Sequence, residues 1–177
     1  MGTSSFARPA LSSLLEQGRN LVGVFTQPDR PRGRGRKLKV SCLKAWALAN
    51  SLRVYQPERI NQDDSFELIK KLSPDLIVVA AFGQVLSSRI LDIPRWGCIN
   101  IHASLLPKYR GSAPINWVII RGEKTTGVTT MLMDKGLDTG DILIQRETDI
   151  LPEESAGELY GRLAQLGAEA LIETIEK

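Results

Sequence analysis

The 177-residue chain carries one imidazole, at His102. It closes the run Cys98-Ile99-Asn100-Ile101-His102, and Ala103-Ser104-Leu105-Leu106-Pro107-Lys108-Tyr109-Arg110-Gly111 follows. If the apolar run is a strand, its side chains alternate across the backbone. Ile99 and Ile101 then face one way, and Asn100 and His102 face the other. A carboxamide and an imidazole projecting together at a strand end can donate hydrogen bonds to a carbonyl oxygen as it gains negative charge. A single histidine in such a place more often satisfies a structural hydrogen bond. The surrounding residues have to decide between the two readings.

Three further features bear on that choice. The segment Asp134-Lys135-Gly136-Leu137-Asp138-Thr139-Gly140-Asp141 combines tight-turn glycines with three carboxylates. One of those carboxylates against His102 would orient the ring and favour its charged form. Spacing alone does not say which one, and the pattern misses that of a calcium-binding loop. In Val78-Val79-Ala80-Ala81-Phe82-Gly83-Gln84-Val85-Leu86, a buried strand runs into a small-residue turn. Ligands of open α/β sheets bind outside the carboxyl ends of strands. Backbone groups of this turn could grip a flat heterocycle lined by Phe82, Val85 and Leu86, although such a segment by itself reads as core plus turn. Cys42, Cys98 and the lone histidine have no metal-ligand spacing, so no metal is expected.

Charge is unevenly placed. The formal net charge is +3, yet Arg30-Pro31-Arg32-Gly33-Arg34-Gly35-Arg36-Lys37-Leu38-Lys39 holds six basic residues and no acid. The rest of the chain is therefore mildly acidic. Such a run is usually a solvated surface. Here its isolation points to a localised polyanion contact, with an arginine-rich loop that orders on RNA as the sharper alternative. The glycine patterns of a phosphate-cradling loop and of a dinucleotide fold are both missing.

These groups need a frame. Alternating helical and strand patterns predict an α/β fold with a mainly parallel sheet flanked by helices. Helices are expected over 4–17, 41–51, 64–72, 88–91, 114–121 and 155–176. The last opens on a capping box formed by Ser155 and Glu158. Strands are expected over 21–25, 54–55, 75–80, 98–102, 127–133 and 142–145, with 27–39 as a loop. No apolar stretch is long enough to span a membrane, and a secretory signal is not expected. Cysteine usage suits a reducing, cytoplasmic setting.

Together, Thr26-Gln27-Pro28-Asp29-Arg30-Pro31, Gly97-Cys98-Ile99-Asn100-Ile101-His102, Ser104-Leu105-Leu106-Pro107, Arg110-Gly111-Ser112-Ala113-Pro114-Ile115 and Gly136-Leu137-Asp138-Thr139-Gly140-Asp141 resemble the folate-dependent formyltransferase family. The resemblance runs along the whole chain. It implies a Rossmann-like catalytic domain over 1–177, using 10-formyltetrahydrofolate as co-substrate and no metal. Its catalytic set falls on Asn100, His102 and Asp138. The folate pocket falls on Ala81, Phe82, Gly83, Val85 and Leu86, with Ser104, Leu105, Leu106, Pro107, Asp134 and Gly136. The basic loop resembles an insertion that contacts the tRNA acceptor end through Arg34, Arg36 and Lys37. The implied acceptor is methionyl-tRNA, in translation initiation. The implied protein is a cytoplasmic monomer (bacterial cytosol or organellar matrix) without a DNA or membrane partner. Two departures are expected: a first strand is lacking, and so is a C-terminal tRNA-binding barrel domain. A UDP-4-amino-sugar acceptor and a non-catalytic RNA-binding fragment are the competing readings.

Overall fold

The computed structural model of the chain describes residues 1–32 and 37–177. Its elements are α1 (Ala7–Glu16), β1 (Val24–Phe25), β2 (Arg30–Arg32), β3 (Lys37–Lys39), α2 (Cys42–Ala49), β4 (Val54–Tyr55), α3 (Asp63–Leu72), β5 (Ile77–Val79), α4 (Ser88–Leu91), β6 (Cys98–His102), α5 (Pro114–Ile120), β7 (Thr125–Leu132), β8 (Ile142–Asp149) and α6 (Ala156–Glu176). The α/β architecture stands, and the sheet is mixed. β5 pairs parallel with β6, while β6–β7 and β7–β8 are antiparallel. β1 and β4 form a separate parallel pair.

Alternation along β5 and β6 separates two cores. Ala80, Ile99 and Ile101 pack with α1, α5 and α6 through Phe6, Val118, Leu163 and Leu171. Ile77, Val79 and Cys98 pack on the opposite face with Ile69 of α3 and with Ile90 and Leu91 of α4. α6 is the principal cover of the first face. Its capping box forms as expected, with Glu158 N–H on the Ser155 hydroxyl and the Glu158 carboxylate on Ser155 N–H.

The sheet is interrupted between β1 and β5. Only Met1–Thr3 bridges the gap. Gly2 N–H donates to Phe25 O at 2.9 Å on one side, and Ala80 N–H donates to Met1 O at 3.0 Å on the other. Gly2 and Ala80 pair in parallel. Residues 21–23 were expected to extend β1 but are not in a strand, because a strand needs a hydrogen-bonded neighbour along its length and here the pairing with β4 covers two residues. Two other expectations change. The loop expected over 27–39 contains an antiparallel hairpin, in which Arg30 pairs with Lys39 and Pro31 with Leu38. β8 runs four residues beyond its expected end, because β7 offers it a ladder as far as Thr125.

Candidate active site

Asn100 and His102 share one side of β6, as the strand period requires. Beside them, β5 is in register, with Val79 opposite Asn100. The turn that follows β5 therefore leaves the sheet next to the end of β6. The loop after β7 folds back over the same side. Its closeness depends on Gly140, where an added Cβ would collide with the backbone of Leu132.

That loop brings Asp138 to the strand. Asn100 Nδ2 donates to Asp138 Oδ1 at 3.3 Å. His102 Nδ1 lies 3.5 Å from Asp138 Oδ2, and the side chains are only 7% and 9% exposed, so water screens the pair little. Gly111 N–H donates to the same Oδ2 at 2.8 Å. Asp138 holds this position from a left-handed backbone, at φ 52°. Such a conformation is uncommon outside glycine, although aspartate and asparagine tolerate it best.

The other ring nitrogen is also engaged. His102 Nε2 is 2.9 Å from the carbonyl of Tyr109. A carbonyl can only accept, so Nε2 carries a proton. The ring lies between two oxygen acceptors. Tyr109 is itself fixed, with φ at 57° and its hydroxyl donating to the Glu123 carboxylate. That bond holds the phenol proton on and pushes the Tyr109 hydroxyl above its ordinary value.

The remaining expected residues near the strand end have definite places. The Ser104–Pro107 segment is strapped to the sheet. Thr129 Oγ1 donates to Ser104 O at 2.7 Å and accepts from Leu106 N–H at 3.1 Å, while Gln145 Nε2 donates to Leu106 O at 2.8 Å. Ser104 and Leu106 are buried, Leu105 is half-buried and Pro107 is exposed. In the turn after β5, Phe82 and Leu86 are core side chains, whereas Ala81, Gly83 and Val85 are exposed. Ala81 and Gly83 both have positive φ.

Asp134 does not reach the Asn–His pair by any recorded bond. It accepts from Thr139 Oγ1 at 2.7 Å and from Gly136 N–H at 2.9 Å, closing its own loop. The Thr139 bond, then the Gly136 bond, hold its carboxyl below the usual range. Lys37 lies in β3 of the basic hairpin, and Arg34 and Arg36 lie outside the described residues.

Several groups at the site are not picked out by residue type and spacing. Tyr109 and Gly111 act through backbone atoms. Four side chains strap the exposed turn: Thr3 Oγ1 donates to Phe82 O, Gln27 Nε2 to Gly83 O, Asn61 Nδ2 to Val85 O, and Gln84 Oε1 accepts from Ile60 N–H. Uncharged amides and hydroxyls at irregular spacing are indistinguishable from surface polarity until the fold brings them together.

With this geometry in hand, comparisons with known proteins become informative. Residues 1–175 match the family described as formyl transferase. The chain is 54% identical to a methionyl-tRNA formyltransferase of Geobacter sulfurreducens over 176 residues, covering 99% of the chain and 56% of that protein. It is 56% identical to one of Alkaliphilus metalliredigens, covering 100% of the chain and 56% of that protein. The chain thus spans about half the length of these curated relatives. Among solved structures, it resembles a phosphoribosylglycinamide formyltransferase of Bacillus halodurans with a TM-score of 0.82 at 19% identity, covering 98% of the chain and 90% of that structure. At that identity the likeness speaks for the fold.

Proposed function

The chain belongs to the formyl transferase family, and on that premise we propose that it transfers a formyl group from 10-formyltetrahydrofolate to the α-amine of methionyl-tRNA. The observation that carries this reading is the placement of one carboxylate, Asp138, against Asn100, His102 and Gly111 N–H at a strand end. The names of the 54–56% identical relatives favour the acceptor. The exposed turn at Ala81, Gly83 and Val85 offers backbone groups to the folate. Phe82 and Leu86 support it from the core. The basic segment 30–39, whose sequence includes Arg34, Arg36 and Lys37, offers charge to the tRNA.

The chemistry follows from what these groups can donate and accept. The methionine amine attacks the formyl carbon as a neutral base. A carbon–nitrogen bond forms, and the carbonyl electron pair moves to oxygen. Asn100 has a second amide N–H beyond the one on Asp138. His102 Nε2–H is directed at the Tyr109 carbonyl, and the charging formyl oxygen takes over that hydrogen bond. Preorganised donors of this kind lower such barriers by about 3–4 kcal/mol each. Asp138 holds the ring and accepts the proton that leaves the amine, directly or through water. The electron pair on oxygen re-forms the carbonyl and the bond to folate N10 breaks, N10 leaving as an amine with the proton that Asp138 had accepted.

The same reading makes the protein a cytoplasmic monomer whose nucleic-acid partner is tRNA. Among the described residues, no helix is long and apolar enough to cross a membrane. The test is formyl transfer from 10-formyltetrahydrofolate with methionyl-tRNA and a UDP-4-amino-sugar as rival acceptors. Transfer to the tRNA, lost in His102→Ala with RNA affinity kept, is expected. Transfer to the sugar alone moves the acceptor assignment. RNA binding without any transfer leaves only a binding role.

A further inference from the structure

The basic hairpin and the turn after β5 are far apart in sequence, yet Gln27 joins them. Gln27 Nε2 donates to Gly83 O at 3.0 Å and to Phe82 O at 3.4 Å. Gln27 N–H donates to Thr3 Oγ1, which itself donates to Phe82 O. Gln27 is also tied to the foot of the hairpin. Gln56 Nε2 donates both to Gln27 O at 2.9 Å and to Asp29 Oδ1 at 3.0 Å. Asp29, the residue before β2, is closed against Lys44 Nζ at 2.5 Å. Lys44 belongs to α2, whose cap Ser41 follows β3 closely and lies 3.2 Å from Thr26 Oγ1. Both feet of the hairpin are therefore clasped together, and Gln27 ties the clasp to the turn twice, directly through its carboxamide and, by its N–H, through Thr3 Oγ1.

The bond that joins Gln27 to Gly83 lies at the surface. Gly83 is exposed and Gln27 is only half-buried. Water can replace the amide at the exposed Gly83 carbonyl, and Phe82 O keeps the Thr3 hydroxyl. What water cannot do is fix the direction and distance of one element relative to the other. In a two-substrate transfer, that alignment is what raises the rate once both substrates are bound.

We propose that Gln27 is a positioning residue that aligns the acceptor-binding hairpin with the donor-binding turn, the Asp29–Lys44 ion pair serving as the clasp that carries this alignment into the hairpin. This rests on the functional reading given above. The test compares wild type, Gln27→Ala, Gln27→Glu and Asp29→Asn. Gln27→Glu keeps the shape but removes both donated hydrogen bonds. For each protein, affinity for tetrahydrofolate alone, affinity for an acceptor-stem RNA alone, the melting temperature and kcat with both substrates saturating are measured.

The separate affinities of Gln27→Ala and Gln27→Glu are expected within about twofold of wild type, with kcat lower by about ten- to a hundredfold. Asp29→Asn is expected to lower kcat in the same sense. Parallel losses of melting temperature and both affinities would mean a merely structural side chain and overturn the proposal. So would a wild-type kcat in both Gln27 variants, while leaving the formyl-transfer reading intact. A wild-type chain that transfers no formyl group overturns that reading and this proposal with it.

Discussion

Asp138 Oδ2 stands 3.5 Å from His102 Nδ1 while also accepting Gly111 N–H at 2.8 Å. Its Oδ2 therefore has two tasks, while Oδ1 accepts from Asn100 Nδ2. Oδ2 faces the imidazole, and it holds the residue that follows Arg110 against the strand end. The two tasks can be separated by substitution, because one needs charge and the other needs only an acceptor oxygen.

Asp138→Asn makes that separation. Asparagine tolerates the left-handed backbone found at this position, and its carbonyl oxygen still accepts Gly111 N–H, while its NH2 group cannot accept the Asn100 Nδ2 bond that Oδ1 takes. The negative charge facing His102 is lost. We expect kcat for formyl transfer to fall by about 10²–10³-fold, with the melting temperature within about 4 °C of wild type. Asp138→Ala should lose the activity and a larger part of the melting temperature, since it also orphans Gly111 N–H. Paired kinetics and thermal melts check both statements. Full activity in Asp138→Asn would remove the charge from the mechanism.

The sequence made half of this site legible. Asn100 and His102 follow from the two-residue period of a strand, which is local information. Asp138 is different. Asp134, Asp138 and Asp141 are alike in composition and spacing, and the choice among them depends on how a loop returns across the sheet. Asp134 closes its own turn through Thr139 and Gly136. Tyr109 and Gly111 contribute backbone atoms, which no residue type reveals. The hairpin at Arg30–Arg32 and Lys37–Lys39 lacks an alternating apolar pattern and so read as a loop. The shortness of β1 depends on its neighbours, not on the apolar run from Leu21 to Phe25, so pairing overrode propensity.

The two cysteines should behave in opposite ways. Cys42 is exposed at the start of α2, and Cys98 is 1% exposed within β6. Burial pushes the Cys98 thiol up to about 12 from 9.0. Near pH 8, a thiol reagent should modify Cys42 quickly and Cys98 only in denaturant. There is also a stability consequence. Above pH 9 the unfolded chain releases this proton while the folded chain retains it, so stability falls as pH rises from about 9 toward about 12. At about 1.4 kcal/mol per unit, the loss approaches 4 kcal/mol over that window. Urea midpoints at stepped pH, compared with Cys98→Ala, check the assignment, because the variant should lack this part of the slope.

The basic segment is expected to act through charge. Arg36→Ala should weaken binding of an acceptor-stem RNA and make the plot of log affinity against log salt shallower by about 0.7–0.9. Titrations at several salt concentrations measure the slope directly. An unchanged slope with normal binding would place the phosphate contacts elsewhere and leave the six-base run as a solvated surface.

Two glycines provide a test of the fold with opposite signs. At Gly2, where Met1–Thr3 bridges the sheet, an added Cβ would stand 2.6 Å from Ala7 Cβ and 2.8 Å from Ala80 O. Ala80 is held by its N–H bond to Met1 O and by its bridge to Gly2, so its carbonyl cannot retreat without disturbing that pairing. Gly2→Ala should therefore destabilise the chain by about 1–3 kcal/mol. Gly161 sits inside α6, and an added Cβ there meets nothing within 4 Å. Gly161→Ala should stabilise by about 0.5–1 kcal/mol, because alanine loses less backbone freedom on entering a helix. Denaturant melts of both variants decide the matter. If both substitutions shifted stability the same way, the close approach at Gly2 would not be what sets the spacing between β1 and β5, and the strand-end geometry built upon that spacing would need another origin.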